Sequence, residues 1–164
     1  MAATRPAVER ESWKVEVPQQ GVAVTIAYPK GWVRAQKDGP MLYKPGTGKG
    51  EMEAFWDFDI KTGSKGRTLE QWLDQLAVSA GKGAGISGVK KEIITLANGK
   101  KAAVLTMLRT DGNSQIVWRQ VFYALDDNRV LAMSEYVPSP RDAEYREILR
   151  EISESVSVVE LKAK

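Results

Sequence analysis

Apolar and polar residues alternate along much of the chain, the period-two signature of half-buried strands. Ser12–Val17 and Val22–Tyr28 are two such runs, parted by the turn signal Pro18-Gln19-Gln20-Gly21. Pro29-Lys30-Gly31 then breaks the chain, and Trp32–Ala35 and Met41–Tyr43 read as short strands. Along Glu53–Lys61 the alternation is strict. Ala54, Trp56, Phe58 and Ile60 share one face, and Glu53, Phe55, Asp57 and Asp59 share the other, with Glu51 extending the acidic row.

Two segments switch to helical spacing. Over Thr68–Ala80 a capping box, Thr68 with Gln71, precedes Leu69, Trp72, Leu73, Leu76 and Ala80 on one stripe. Ser139-Pro140 opens the second, with Asp142 in its first turn and a stripe of Tyr145, Ile148, Leu149, Ile152 and Val156. Between them, Val89–Leu96, Ala102–Thr110, Ser114–Leu125 and Arg129–Val137 form a meander turned at Asn98-Gly99, Asp111-Gly112 and Asp126-Asp127-Asn128. The order predicts an α+β domain: one antiparallel sheet with at least two helices. Residues 1–11 read as a polar arm, 12–160 as one domain and 161–164 as a tail.

Composition narrows the chemistry. A chain of 164 residues is one domain's length and needs no disulfide or metal staple. It contains no His and no Cys, which excludes Ser-His-Asp and Cys-His catalysis, thiol redox chemistry and nitrogen- or sulfur-ligated zinc. Carboxylate, Lys or Tyr chemistry and oxygen-held cations remain. The net charge of +3 is spread out, and the longest basic runs are Lys90-Lys91 and Lys100-Lys101, so no phosphate track is present and nucleic acid is not an expected partner. No apolar stretch is long enough to span a membrane. The first twelve residues have no apolar core and do not read as a leader, although a mature chain freed of its leader would begin the same way.

Three strings imitate catalytic motifs and fail on context. Pro45-Gly46-Thr47-Gly48-Lys49 lacks the first Gly and the final hydroxyl of a phosphate loop, and a strand follows it where a helix is needed. Gly83-x-Gly85-x-x-Gly88 lies between a helix and a strand, the reverse of a dinucleotide site. Ser79-x-x-Lys82 and Lys61-Thr62-Gly63 stand in the reverse order to the β-lactamase set and lack its Ser-Asp-Asn.

Two surfaces carry candidate chemistry. The carboxylates of Glu53, Asp57 and Asp59 could hold Ca²⁺, although no Asp-x-Asp-x-Asp-Gly loop is present and a solvated strand face explains the same row. In the meander, two-residue turns at Asp111-Gly112 and Asp127-Asn128 place Leu105, Met107, Ile116, Trp118, Phe122, Leu131 and Met133 on a core face. The opposite face then holds Thr106, Thr110, Gln115, Arg119, Tyr123, Ser134 and Tyr136, with Arg119 across from Tyr136. Arg119, Tyr123 and Tyr136 are there the candidate residues for a partner or ligand.

Val24-Thr25-Ile26-Ala27-Tyr28-Pro29-Lys30-Gly31-Trp32 resembles the strand–Tyr-Pro-x-Gly-Trp signature of the PsbP-like superfamily. That group includes the extrinsic PsbP subunit of photosystem II, Ran-binding Mog proteins and bacterial envelope proteins of the DcrB and lipoprotein kind. The order of later elements agrees, down to Ile148-Leu149-x-x-Ile152-x-x-Ser155 in the last helix, so the resemblance covers roughly Ser12 to Val159. It implies an α-β-α sandwich with no catalytic activity and no cofactor. The family shares no functional residue set, and the metal sites proposed for some plant members use His, so no ligand carries over. The expectation is a non-catalytic accessory protein that binds another protein. The residues themselves keep open a small-molecule or Ca²⁺-binding domain. Exported bacterial relatives point to the cell envelope if a leader precedes these residues, and otherwise the expectation is cytoplasmic.

Overall fold

The computed structural model describes residues 9–36, 39–48, 52–63 and 65–162. Glu51, Lys49 and residues 1–8, on which parts of the acidic row, the loop motif and the arm fall, lie outside them. β1 (Arg10–Val17) and β2 (Val22–Pro29) form a hairpin, followed by β3 (Val33–Ala35), β4 (Met41–Pro45) and β5 (Met52–Thr62). After α1 (Leu69–Gly81) come β6 (Ile86–Thr95), β7 (Lys101–Asp111), β8 (Ser114–Ala124) and β9 (Arg129–Pro138). A 3₁₀ turn leads into α2 (Asp142–Ser155), and β10 (Ser157–Glu160) is the last element of the described residues. β1 starts at Arg10, inside the expected arm.

The strands divide between two sheets where one was expected. β3-β4-β5-β9-β8-β7-β6 make a seven-stranded sheet, and β1-β2-β10 a three-stranded one. Between them lies the main core, where Val24, Ile26 and Tyr28 of β2 and Leu149 and Ile152 of α2 meet Trp56, Leu131 and Met133 of the large sheet. On the other side, Leu73 of α1 covers Ala103, Leu105, Met107 and Phe122. Each large aliphatic or Phe side chain removed from water this way contributes about 1.5–3 kcal/mol. The large sheet thus has helix α1 on one side, and α2 with the small sheet on the other.

Local chemistry sets the ends of these elements. The Thr68–Gln71 capping box forms in both directions, with Gln71 N donating to Thr68 Oγ1 at 3.1 Å and Thr68 N to Gln71 Oε1 at 2.8 Å. At the Tyr28–Trp32 corner, Gly31 supplies a φ of 98°. Trp32 packs edge-on against Tyr145 of α2 at 6.2 Å, while the buried Tyr28 hydroxyl accepts from Arg34 Nε at 2.6 Å and donates to Glu11 at 3.0 Å. The glycine string before β6 is structural: Gly85 has φ 77° and lies so close to Thr110 that a Cβ would stand 2.6 Å from its carbonyl oxygen.

One register differs from the sequence expectation. Leu125 N bonds Arg129 O at 2.9 Å, so three residues, Asp126, Asp127 and Asn128, make the β8–β9 turn. Asp126 stabilises it by accepting from Asn128 N and Arg129 N. The extra residue turns β9 over relative to the two-residue expectation. Arg119 consequently faces Glu135, and Trp118 faces Tyr136. Leu131 and Met133 therefore join the Arg119 and Tyr123 side, and Ser134 and Tyr136 the Trp118 side.

Candidate functional site

α1 packs on β6 and β7, which leaves the β4-β5-β9 part of its face only half-buried. Across this area Phe55 stacks on Tyr136 with ring centroids 4.1 Å apart, and Tyr136 stacks on Trp118 at 5.4 Å. The three rings are direct cross-strand neighbours on β5, β9 and β8. Tyr43, across from Phe55 on β4, and Val33 at the sheet edge extend the strip. The indole Nε1 of Trp118 is buried without a hydrogen-bond partner among the described residues. An aromatic strip carrying polar tips suits contact with another surface.

A concavity of about 670 Å³ adjoins the strip and includes Met41, Asp57, Asp59, Gln120, Ser134 and Tyr136 in its lining. Asp57 lies directly across from Ser134, which favours its ionised form. Burial pushes its carboxyl up to about 6, and Asp59 adds to the rise. Asp59 is exposed and has Lys61 Nζ 3.6 Å away. Tyr136 is also raised, first by burial and then by the charge of Asp57.

The other candidate residues lie elsewhere. Glu53 belongs to the same strand row but is taken up by Arg141, at 2.7 Å, and by the Tyr145 hydroxyl. These two hydrogen bonds, that of Tyr145 first, hold its carboxyl below the usual range. Among the described residues no three acidic side chains converge on a metal-sized site. Tyr123 is a correction: it is 2% exposed and sits in the main core, not on an open face. Burial raises its hydroxyl to about 12.

Arg119 lies on the opposite side of the sheet from Tyr136, in a cleft of about 610 Å³ beneath α2. Glu135, 3% exposed, lies 3.5 Å from Arg119 Nη1 and accepts from Ser153 Oγ at 2.6 Å, while Trp56 Nε1 donates to the same hydroxyl at 2.9 Å. Burial raises the Glu135 carboxyl, and Arg119 opposes that rise. Most of the cleft's cations are already matched: Arg119 also lies near Glu92, Lys91 pairs with Asp74, Arg146 with Asp142 and Arg150 with Glu154. Arg119 is therefore mainly the counter-ion of a buried acid.

The structure thus unites Tyr136 with Asp57 and Asp59, and separates it from Arg119 and Tyr123. Phe55 and Trp118 were not singled out from sequence. Phe55 was legible on the acidic face, but its neighbour Tyr136 depended on the β8–β9 turn length.

No protein-family model and no curated protein matches the sequence. Solved structures do match the fold, which is PsbP-like. The cyanobacterial PsbP, CyanoP, of Synechocystis aligns over 97% of this chain and 98% of its own at TM-score 0.61 and 10% identity. LpqN of Mycobacterium tuberculosis, described as involved in cell envelope biogenesis, aligns over 92% of this chain and 91% of its own at 0.65 and 10% identity. A variant of the protein Mog1 aligns over 92% and 97%, at 0.58 and 14% identity. At such identities the likeness establishes the architecture alone.

Proposed function

We propose that this chain is a non-catalytic accessory protein that binds another protein through the open face of its seven-stranded sheet. The observation that carries the reading is the half-buried Phe55–Tyr136–Trp118 stack, continued by Tyr43. Stacked rings with two side-chain torsions each lose little conformational freedom on binding, and they bury large areas against a partner. The lack of His and Cys removes the commonest catalytic groups and agrees with a binding role.

Affinity capture from extracts of the source cell, run with the wild-type chain and with Phe55→Ser/Tyr136→Ser, tests this. A stoichiometric partner retained by the wild type and lost by the variant is expected. The partner's affinity is then measured by calorimetry, with Lys14→Ser on the outer side of β1 as a folded control. Equal retention by the Phe55/Tyr136 variant would remove this face from the function.

A further inference from the structure

Asp57 is half-buried, and no described cation stands within ion-pair distance of it, Lys61 acting on it only from farther off. Met41 of β4 and Ser134 of β9 are its direct cross-strand neighbours, and Gln120 of β8 lies across from Ser134 on the same face. Among the described residues the charged groups of the cavity lining are Asp57, Asp59 and Lys61, an excess of one negative charge. Lys61 stands 3.6 Å from Asp59 and pairs with it. Tyr136, the other titratable lining group, is neutral at neutral pH, and Arg109 of β7 acts on Tyr136 from farther along the sheet. A carboxylate held in a concavity edged by Tyr136, with no ion-pair partner among the described residues, suits an ammonium or guanidinium arriving from outside, which would gain a charge-assisted hydrogen bond.

We propose that the Asp57 concavity receives a Lys or Arg side chain of the docked protein while the residues beside it lie along Phe55, Tyr136 and Trp118. This rests on the reading of the open face as a protein-binding surface. The occupant is a peptide segment and not a free amine, because the concavity is continuous with a ring strip crossing three strands, roughly 10 Å at the usual inter-strand spacing. A free amine would occupy the cavity and leave the strip bare. An entering cation favours the ionised carboxyl, so docking releases a proton at mildly acid pH and strengthens as pH rises from 5 to 7.

The probe is the capped tripeptide acetyl-Phe-Arg-Phe-amide, titrated into ¹⁵N-labelled protein beside its Phe-Gln-Phe analogue and acetyl-argininamide. At pH 7.5 the Arg peptide is expected to bind at least tenfold tighter than either. Its preference over Gln should vanish in Asp57→Asn and shrink several-fold at pH 5 in the wild type only. Equal binding of the Arg and Gln peptides, or an Arg preference that survives Asp57→Asn, overturns the proposal. Acetyl-argininamide binding as tightly as the tripeptide also overturns it, and marks a small-ligand pocket. The capture experiment separates the two readings: if capture depends on Phe55 and Tyr136 while the Arg preference is absent, only the cation inference fails.

Discussion

The rings of Phe55 and Tyr136 lie nearly parallel, 19° between planes and 4.1 Å between centroids. Their strands pair directly at these residues, so the backbone ladder fixes the stack. Because the pair is half-buried, removing it costs less than removing a core residue. Phe55→Ser is expected to destabilise the fold by about 1 kcal/mol, the scale of a cross-strand pair, whereas Leu131→Ala, in the main core, costs about 2–5 kcal/mol. Urea denaturation of both variants compares the two. A Phe55→Ser loss as large as that of Leu131→Ala would show that the strip is core and not an exposed platform.

Arg119 and Glu135 give a separate prediction. Glu135 is buried and its carboxyl is raised, so its folding contribution is favourable at acid pH and is lost as pH rises through its folded value. Arg119→Met removes the opposing charge and should cost about 3–5 kcal/mol at pH 8, as breaking a buried pair does. The cost should be smaller at pH 5, and adding Glu135→Gln should recover most of it. Denaturation curves at the two pH values check this. An Arg119→Met loss that does not depend on pH would exclude Glu135 as the cause.

Asp57 works in the same direction. Its carboxyl stands at about 6 in the folded chain against an ordinary 3.8, so the folded state holds the proton more tightly. Stability therefore falls as pH rises between these values. Asp57→Asn should raise stability by about 1–2 kcal/mol at pH 7.5, allowing for solvent screening, and change it little at pH 3.5. Thermal melts at both pH values measure the difference, and a destabilised Asn variant at pH 7.5 would contradict the burial argument.

Where the pattern was local, the sequence was informative. The β5 alternation placed Trp56 and Ile60 inward and Asp57 outward, and the α1 cap followed from Thr68 and Gln71 alone. What escaped was set by distant partners or by a single residue. β10 follows α2 after Val156 alone, which reads as the end of that helix's apolar stripe but takes an extended backbone, so the helical spacing hides the strand. Its pairing with β2 joins Val158 to Val24, far apart in the chain. The turn at Asp126–Asn128 offered two lengths, and the difference moved Tyr136 from Arg119 to Asp57. The open face became visible only when that turn and the position of α1 were known.

Gly85 tests the reading of the glycine string as backbone geometry. Its Cα hydrogen faces Thr110 O, and its amide plane lets Thr110 N donate to Gly85 O at 2.8 Å. Gly85→Ala combines a positive φ with a steric clash and should cost about 1–3 kcal/mol. Gly99→Ala, at a turn with open space around its Cβ position, bears only the backbone strain of about 1 kcal/mol. Equal losses in the two variants would show that the approach to Thr110 is unimportant.

Photo-crosslinking in the source cell tests the central claim most directly. A benzophenone amino acid replaces Tyr43 on the strip in one chain and Lys14 on the outer side of β1 in another. The account predicts one discrete adduct from position 43, absent from position 14. An adduct from position 14 alone would contradict it and place the working surface on the three-stranded sheet.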